Sequence, residues 1–206
     1  MRRVDYDDRI HAVYAQGRAM PPTTVADWIV AFSRRLPARR PLSLLDMGCG
    51  IGRLTPALAD TFGGPVTGVE PSQKMLAQAR STAAHPRVTY RPGSAESLPF
   101  ADGSFDAALL YFVWHHVAGK AAGAAELHRV VRPGGRLLMR SNFSDRMPDI
   151  WWYPWFPAAR TADRQMYQTL DEVVSDFTGA GWSMVALDEV ETIVASRAED
   201  FERLRT

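Results

Sequence analysis

The stretch "LLDMGCGIGRLT", Leu44–Thr55, sets glycines at 48, 50 and 52 directly after an apolar run that ends in Asp46. A glycine-rich turn between a strand and a helix lets a ligand approach the backbone without meeting a Cβ. Dinucleotide turns are spaced Gly-x-Gly-x-x-Gly and set a helix N-terminus against a pyrophosphate, whereas this turn is spaced Gly-x-Gly-x-Gly. A phosphate loop would end in Gly-Lys-Ser/Thr, and this one continues "GRLT". Asp46 repels a phosphate and attracts an ammonium group, so the ligand is expected to be cationic near the turn.

Glu70 closes the next apolar run, "PVTGVEP", 18 positions after Gly52. A carboxylate there can accept both hydroxyls of a ribose, and it favours a free 2′-hydroxyl over a 2′-phosphate. The two carboxylates together ask for an ammonium group at one end of the ligand and an unphosphorylated nucleoside at the other.

Outward from this turn, apolar runs bounded by turn residues recur at "PLSLLDMG", "VTYRPG", "FDAALLYFVW" and "GGRLLMRSN". Helical periodicity lies between most of them: Pro56 to Phe62, Ser72 to Ala83 with Ser72 as N-cap, and Lys120 to Val131. Alternating strands and helices of this kind imply an α/β fold, a doubly wound, mostly parallel sheet covered on both faces. "TLDE" near Thr169 has the form of a capping box, with its helix ending around "GAG". Val25, Trp28, Ile29 and Phe32 share one face of a helix that precedes the first strand. "DRMPDIWWYPWFPAARTADRQ" has neither period and reads as a long irregular insertion.

A chain of 206 residues with 46% apolar and 23% charged residues suits one globular domain, burying about 70% of the surface its unfolded chain exposes. The net charge of +1 gives no footprint for nucleic acid or an anionic membrane, and neither partner is expected. The lone cysteine, Cys49, excludes an internal disulfide and paired-cysteine zinc. No histidine and carboxylate cluster has metal-ligand spacing, so no metal is implied. The N-terminal stretch has no apolar core of signal-peptide length, and a cytoplasmic protein is expected.

With these motifs in hand, the chain resembles a class I S-adenosylmethionine-dependent methyltransferase of the small-molecule, type 11-like kind. "LLDMGCGIGRLT" resembles that family's first motif and "VTGVEPSQKMLAQAR" its second. "RPGSAESLPFADGSFDAALLYFVWHHV" resembles its third and fourth, and "ELHRVVRPGGRLLMR" its last. The resemblance implies Asp46 near the methionine ammonium, directly or through water, with Gly48, Cys49 and Gly50 lining the methionine moiety. It implies Glu70 on the ribose, Pro71 on the adenine face, and Ser94, Ala95 and Glu96 at the adenine edge, with Phe112 also against the cofactor. Many relatives carry Asp where Ser94 stands. "VYAQGR" resembles a Tyr-x-x-Gly-Arg pattern that places Tyr14 and Arg18 over the cofactor, the arginine on the methionine carboxylate. The implied organisation is a single domain: an N-terminal helical lid over 1–40, a cofactor-binding core over 41–142, an aromatic substrate lid over 143–168, and a C-terminal helix and strand over 169–206. No segment matches the antiparallel strand that usually closes this family's sheet. The chain is therefore expected to be truncated, left open, or completed by another molecule, a homodimer being one such arrangement.

His115 and His116 follow the fourth strand, where ligands bind in open α/β sheets. Either can serve as a general base or simply pack at the strand end. Trp151, Trp152 and Trp155, with Tyr153 and Phe156, form an acceptor wall or plain core. Cys49 reads as a small residue in a tight turn, Arg132 as solvated, and Glu126 with Arg129 as a surface pair. Methyl transfer from a sulfonium is an in-line displacement that needs alignment above all. The expected activity is methyl transfer from S-adenosyl-L-methionine, giving S-adenosyl-L-homocysteine, to a small apolar or aromatic metabolite. The other reading is a non-catalytic cofactor-binding or regulatory partner with the same fold.

Overall fold

A computed structural model describes residues 20–148, 150 and 153–190. The strands are β1 (Leu42–Met47), β2 (Gly63–Glu70), β3 (Val88–Pro92), β4 (Phe105–Tyr111) and β5 (Val131–Arg140). The helices are α1 (Pro22–Ser33), α2 (Thr55–Phe62), α3 (Gln73–Thr82), α4 (Lys120–Val130), α5 (Pro157–Met166) and α6 (Leu170–Thr178), and a 3₁₀ turn covers Trp114–His116. Among the described residues the sheet has five strands in the order β3-β2-β1-β4-β5, and every pairing is parallel.

Period-two alternation explains why the central strands are apolar throughout. Leu44 of β1 and Ala107 and Leu109 of β4 face a cluster with Trp28, Phe32, Leu58 and Phe62, while Leu45, Ala108 and Leu110 face one with Leu127, Trp114 and Phe177. Both faces are therefore covered, as a parallel sheet requires. Replacing Leu110, fully buried at 0% exposure, by alanine is expected to cost roughly 2–5 kcal/mol.

The local signals hold. Ser72 Oγ accepts from Met75 N–H at 3.2 Å, and Thr169 with Glu172 forms a reciprocal capping box. The helix after Thr169 ends at Thr178, against Gly179.

Four expectations need correction. β4 stops at Tyr111 rather than running on to Trp114, because Phe112 takes a positive φ of 55° and turns the chain into the 3₁₀ turn. The stretch read as irregular contains α5, which opens on Pro157 at its first turn and buries no residue; its apolar side is only Ala158, Ala159, Ala162 and Met166, a faint period beside the aromatics and prolines that precede it. No strand forms over 182–190, where Asp188 instead pairs with Arg35 beyond α1, and the rest of the span expected to hold it, 191–206, lies outside the described residues. Arg129 does more than make a surface pair: it binds Glu126, Asp102 and the carbonyls of Leu98 and Phe100, fixing the loop before β4, and Arg132 pairs with Asp106 at 2.6 Å.

Candidate functional site

The strand order reverses between β1 and β4, since β2 and β3 extend one way and β5 the other. In open α/β sheets ligands bind in the crevice outside the strands' carboxyl ends at such a reversal. The glycine turn, Glu70, Phe112 and Arg140 all lie at that edge.

The β1–β2 end is built from backbone and two carboxylates. Gly48 and Cys49 donate to the Val69 carbonyl at 2.7 and 3.1 Å, which ties the turn to the end of β2. Gly48 has φ +72°, and a Cβ there would run into the Val113 side chain. Gly50 has φ +56°, and its N–H reaches Glu70 Oε2 at 3.1 Å, while Glu70 Oε1 accepts from Ser72 N–H at 3.0 Å. Glu70 is buried, and these two bonds fix its carboxylate against the turn. Pro71, next in the chain, is exposed.

Asp46 is buried and accepts from Thr55 Oγ1 at 2.7 Å, which joins the end of β1 to the start of α2. Burial pushes its pKa up to about 6, with the Thr55 hydroxyl opposing the shift and the Glu70 charge adding to it. The sequence marks Thr55 only by a hydroxyl at the helix start nine residues beyond the strand's carboxylate. Cys49 is half-buried, and burial together with the charges of Asp46 and Glu70 drives its pKa far up. Both effects favour the protonated thiol over the thiolate.

The "SAE" turn divides. Ser94 is half-buried, and its carbonyl accepts from Ser97 N–H at 3.2 Å. Ala95 is in the core. Glu96 Oε1 accepts from Ala118 and Gly119 N–H, both at 3.1 Å, at the start of α4. Burial works to raise its pKa, but hydrogen bonds from the Gly119 N–H, its own backbone N–H, the Ser94 side chain and the Ala118 N–H together outweigh this and hold the carboxyl below its ordinary range.

At the β4–β5 end, Phe112 N–H donates to the Arg140 carbonyl at 2.8 Å, and the Phe112 ring sits edge-on to Tyr111 at 5.3 Å. The positive φ at an aromatic residue is strained, and such strain collects at ligand sites. Trp114 is buried, stacks on Phe177 at 4.4 Å and donates from Nε1 to Asp176 Oδ2 at 3.1 Å. This anchors the turn that carries the half-buried His115 and His116, whose rings lie 4.0 Å apart, with Tyr167 4.7 Å from His115.

Of the aromatic insertion, Tyr153 is buried and donates to Asp163 Oδ2 at 2.7 Å, whereas Trp155 is 69% exposed and Phe156 63%. Tyr14, Arg18, Trp151 and Trp152 lie outside the described residues. Among the described residues no three potential ligands cluster to hold a metal ion, and no helix is long and apolar enough to cross a membrane.

This sheet order, with a glycine turn after β1 and an acidic residue ending β2, defines a class I methyltransferase fold. A family model described as a methyltransferase domain matches residues 45–139. The malonyl-[acyl-carrier protein] O-methyltransferase of Pseudescherichia vulneris is 34% identical over 183 residues, covering 84% of this chain and 68% of that protein. A demethylmenaquinone methyltransferase of Beutenbergia cavernae is 37% identical over 130 residues, covering 63% and 50%. Among solved structures, a putative methyltransferase from an antibiotic biosynthesis pathway of Anabaena variabilis superposes with a TM-score of 0.69 at 27% identity, covering 80% of this chain and 63% of that one. The chain belongs to the class I S-adenosylmethionine-dependent methyltransferases. It spans about half the length, or less, of most of the curated relatives it matches.

Proposed function

We propose that this chain binds S-adenosylmethionine at the carboxyl ends of β1 and β2 and transfers its methyl group to a small, apolar or aromatic metabolite at the ends of β4 and β5. The observation that carries the reading is the pair of buried carboxylates on either side of the Gly50 turn, one at the end of each strand. Both fit the donor. Asp46 forms no ion pair among the described residues, and a cationic ammonium group is the partner a buried carboxylate needs. Glu70's oxygens each accept one backbone N–H, which sets the carboxylate against the turn, where a carboxylate can accept the hydroxyls of a ribose.

In this reading Gly48, Cys49 and Gly50 line the methionine end, Pro71 and Ser94 border the nucleoside, Phe112 stands between the cofactor and the acceptor's side, and Tyr14 and Arg18 close over the cofactor. Ala95 and Glu96 act at one remove, through the core and the start of α4. The bound cofactor supplies an electrophilic methyl group on sulfur. The protein aligns the acceptor, and His115 or His116 takes a proton where the acceptor must lose one. The segment 143–168, with Trp151, Trp152 and Trp155, serves as the acceptor's lid.

The relatives' names give a malonyl-carrier protein and a demethylated menaquinone as acceptors, so the named acceptor varies among relatives of this chain. The test is release of S-adenosylhomocysteine across a panel of apolar and aromatic metabolites. Turnover with a member of the panel is expected. A folded protein that binds the cofactor and methylates none of them contradicts the transfer reading.

A further inference from the structure

Arg140 ends β5, opposite Tyr111 in the β4–β5 register. Its guanidinium carbon lies 4.3 Å from the centre of the Phe112 ring and 4.9 Å from that of buried Trp28 on α1. Nη1 donates to the Ser141 carbonyl and to Asn142 Oδ1. Nε is buried with no hydrogen-bond partner, and no carboxylate pairs with this arginine among the described residues. Arg35, Arg39, Arg87, Arg129 and Arg132 each pair with an aspartate or glutamate.

A cation in that position is costly unless something answers it. Burial works against the Arg140 charge, with the Tyr111 and Tyr167 hydroxyls partly offsetting it. With Nη1 spent, the edge left over is the one carrying Nε and Nη2. Its two parallel N–H groups match the two oxygens of a carboxylate. A carboxylate carries the single charge that one guanidinium answers, whereas a phosphate monoester carries more.

Position separates this group from the donor. β4 lies between β5 and β1, so the ends of β5 and β1 are about 10 Å apart at the usual strand spacing. Arg140 is thus on the acceptor's side of the crevice, with His115 on the adjoining turn after β4.

We propose that Arg140 determines acceptor specificity by pairing, through its Nε and Nη2 edge, with the carboxylate of an aromatic or apolar carboxylic acid. The flanking Trp28 and Phe112 rings hold the guanidinium in place and make its surroundings apolar. The inference deepens the methyltransfer reading and rests on it only for the ligand's role as acceptor.

The test titrates benzoate and cinnamate, their neutral amides, and phenyl phosphate into the full chain, with and without S-adenosylhomocysteine. The acids are expected to bind about tenfold or more tightly than the amides. R140Q is expected to erase that preference, and R140K to keep part of it, while both hold the parent's melting temperature within a few degrees and its S-adenosylhomocysteine affinity within about twofold. Acids binding no better than amides, or phenyl phosphate binding better than the acids, overturns the proposal. So does loss of cofactor affinity in R140Q, which would place Arg140 on the cofactor's own carboxylate. A parent protein that binds no S-adenosylhomocysteine overturns the methyltransfer reading instead, and the cofactor-free titration still reads Arg140.

Discussion

The two halves of the crevice are built by different means. At the ends of β1 and β2, Glu70 takes N–H groups from Gly50 and Ser72, and Val69 takes them from Gly48 and Cys49, so backbone fixes the site. At the ends of β4 and β5 side chains from distant segments meet: Trp28, Phe112, His115, Arg140 and Tyr167. A backbone-built site suits a ligand that never changes, and a side-chain site can be altered one residue at a time. This difference matches a family in which the donor is common and named acceptors differ.

The sharpest way to break the comparison is Gly50→Arg. It forces a bulky residue to φ +56° and fills the turn, and a Cβ alone would come within 3.3 Å of Met75 Cε. Cofactor affinity is expected to fall by more than about 100-fold in calorimetry, roughly 2.7 kcal/mol, with a smaller loss in melting temperature from backbone strain. His115→Gln tests the other half. Turnover is expected to drop about 100-fold with an acceptor that must lose a proton, while cofactor affinity stays unchanged. Equal losses in both would join the halves into one site.

Next in size is the effect of pH. A cationic ligand favours ionised Asp46, so cofactor affinity is expected to fall as pH drops through about 6. From pH 7 to pH 5 the loss is about tenfold, because the carboxylate is mostly ionised at the first and about a tenth ionised at the second. The cofactor-free fold behaves oppositely. Its Asp46 pKa lies above the ordinary 3.8, so the folded state holds the proton longer, and this group's contribution to stability declines as pH rises from about 4 to about 6. Affinity that is flat across this range would remove Asp46 from the ammonium contact. The smallest effect on cofactor affinity is expected for Trp114→Phe, which deletes the bond to Asp176 and part of a fully buried ring: it destabilises by about 2–3 kcal/mol and leaves that affinity unchanged.

Legibility in the sequence followed the same division. The glycine turn, Asp46 and Glu70 lie within 25 consecutive residues, and their spacing is set by one strand, one helix and the next strand. Local order alone exposes them, as it does the Ser72 cap and the Thr169 capping box. Arg140 looked like the last residue of an apolar strand, because its meaning depends on Trp28, more than a hundred positions earlier. Glu96 was read from its place in the "SAE" turn, yet its carboxylate is drawn to the free N–H groups ahead of α4, a demand visible only once α4 is packed beside it. The end of β4 is hidden in the sequence because "YFVW" continues the apolar run, whereas a positive φ at Phe112 leaves no trace in composition.

The measurement closest to the central claim is a calorimetric titration of S-adenosylmethionine into the full chain beside Glu70→Gln. The expected result is saturable one-to-one binding by the parent and about tenfold weaker binding by the variant, since a neutral amide is a poorer acceptor for two ribose hydroxyls. A folded parent that takes up no cofactor, or a variant that binds as tightly as the parent, contradicts the assignment of the β1–β2 end as the donor site.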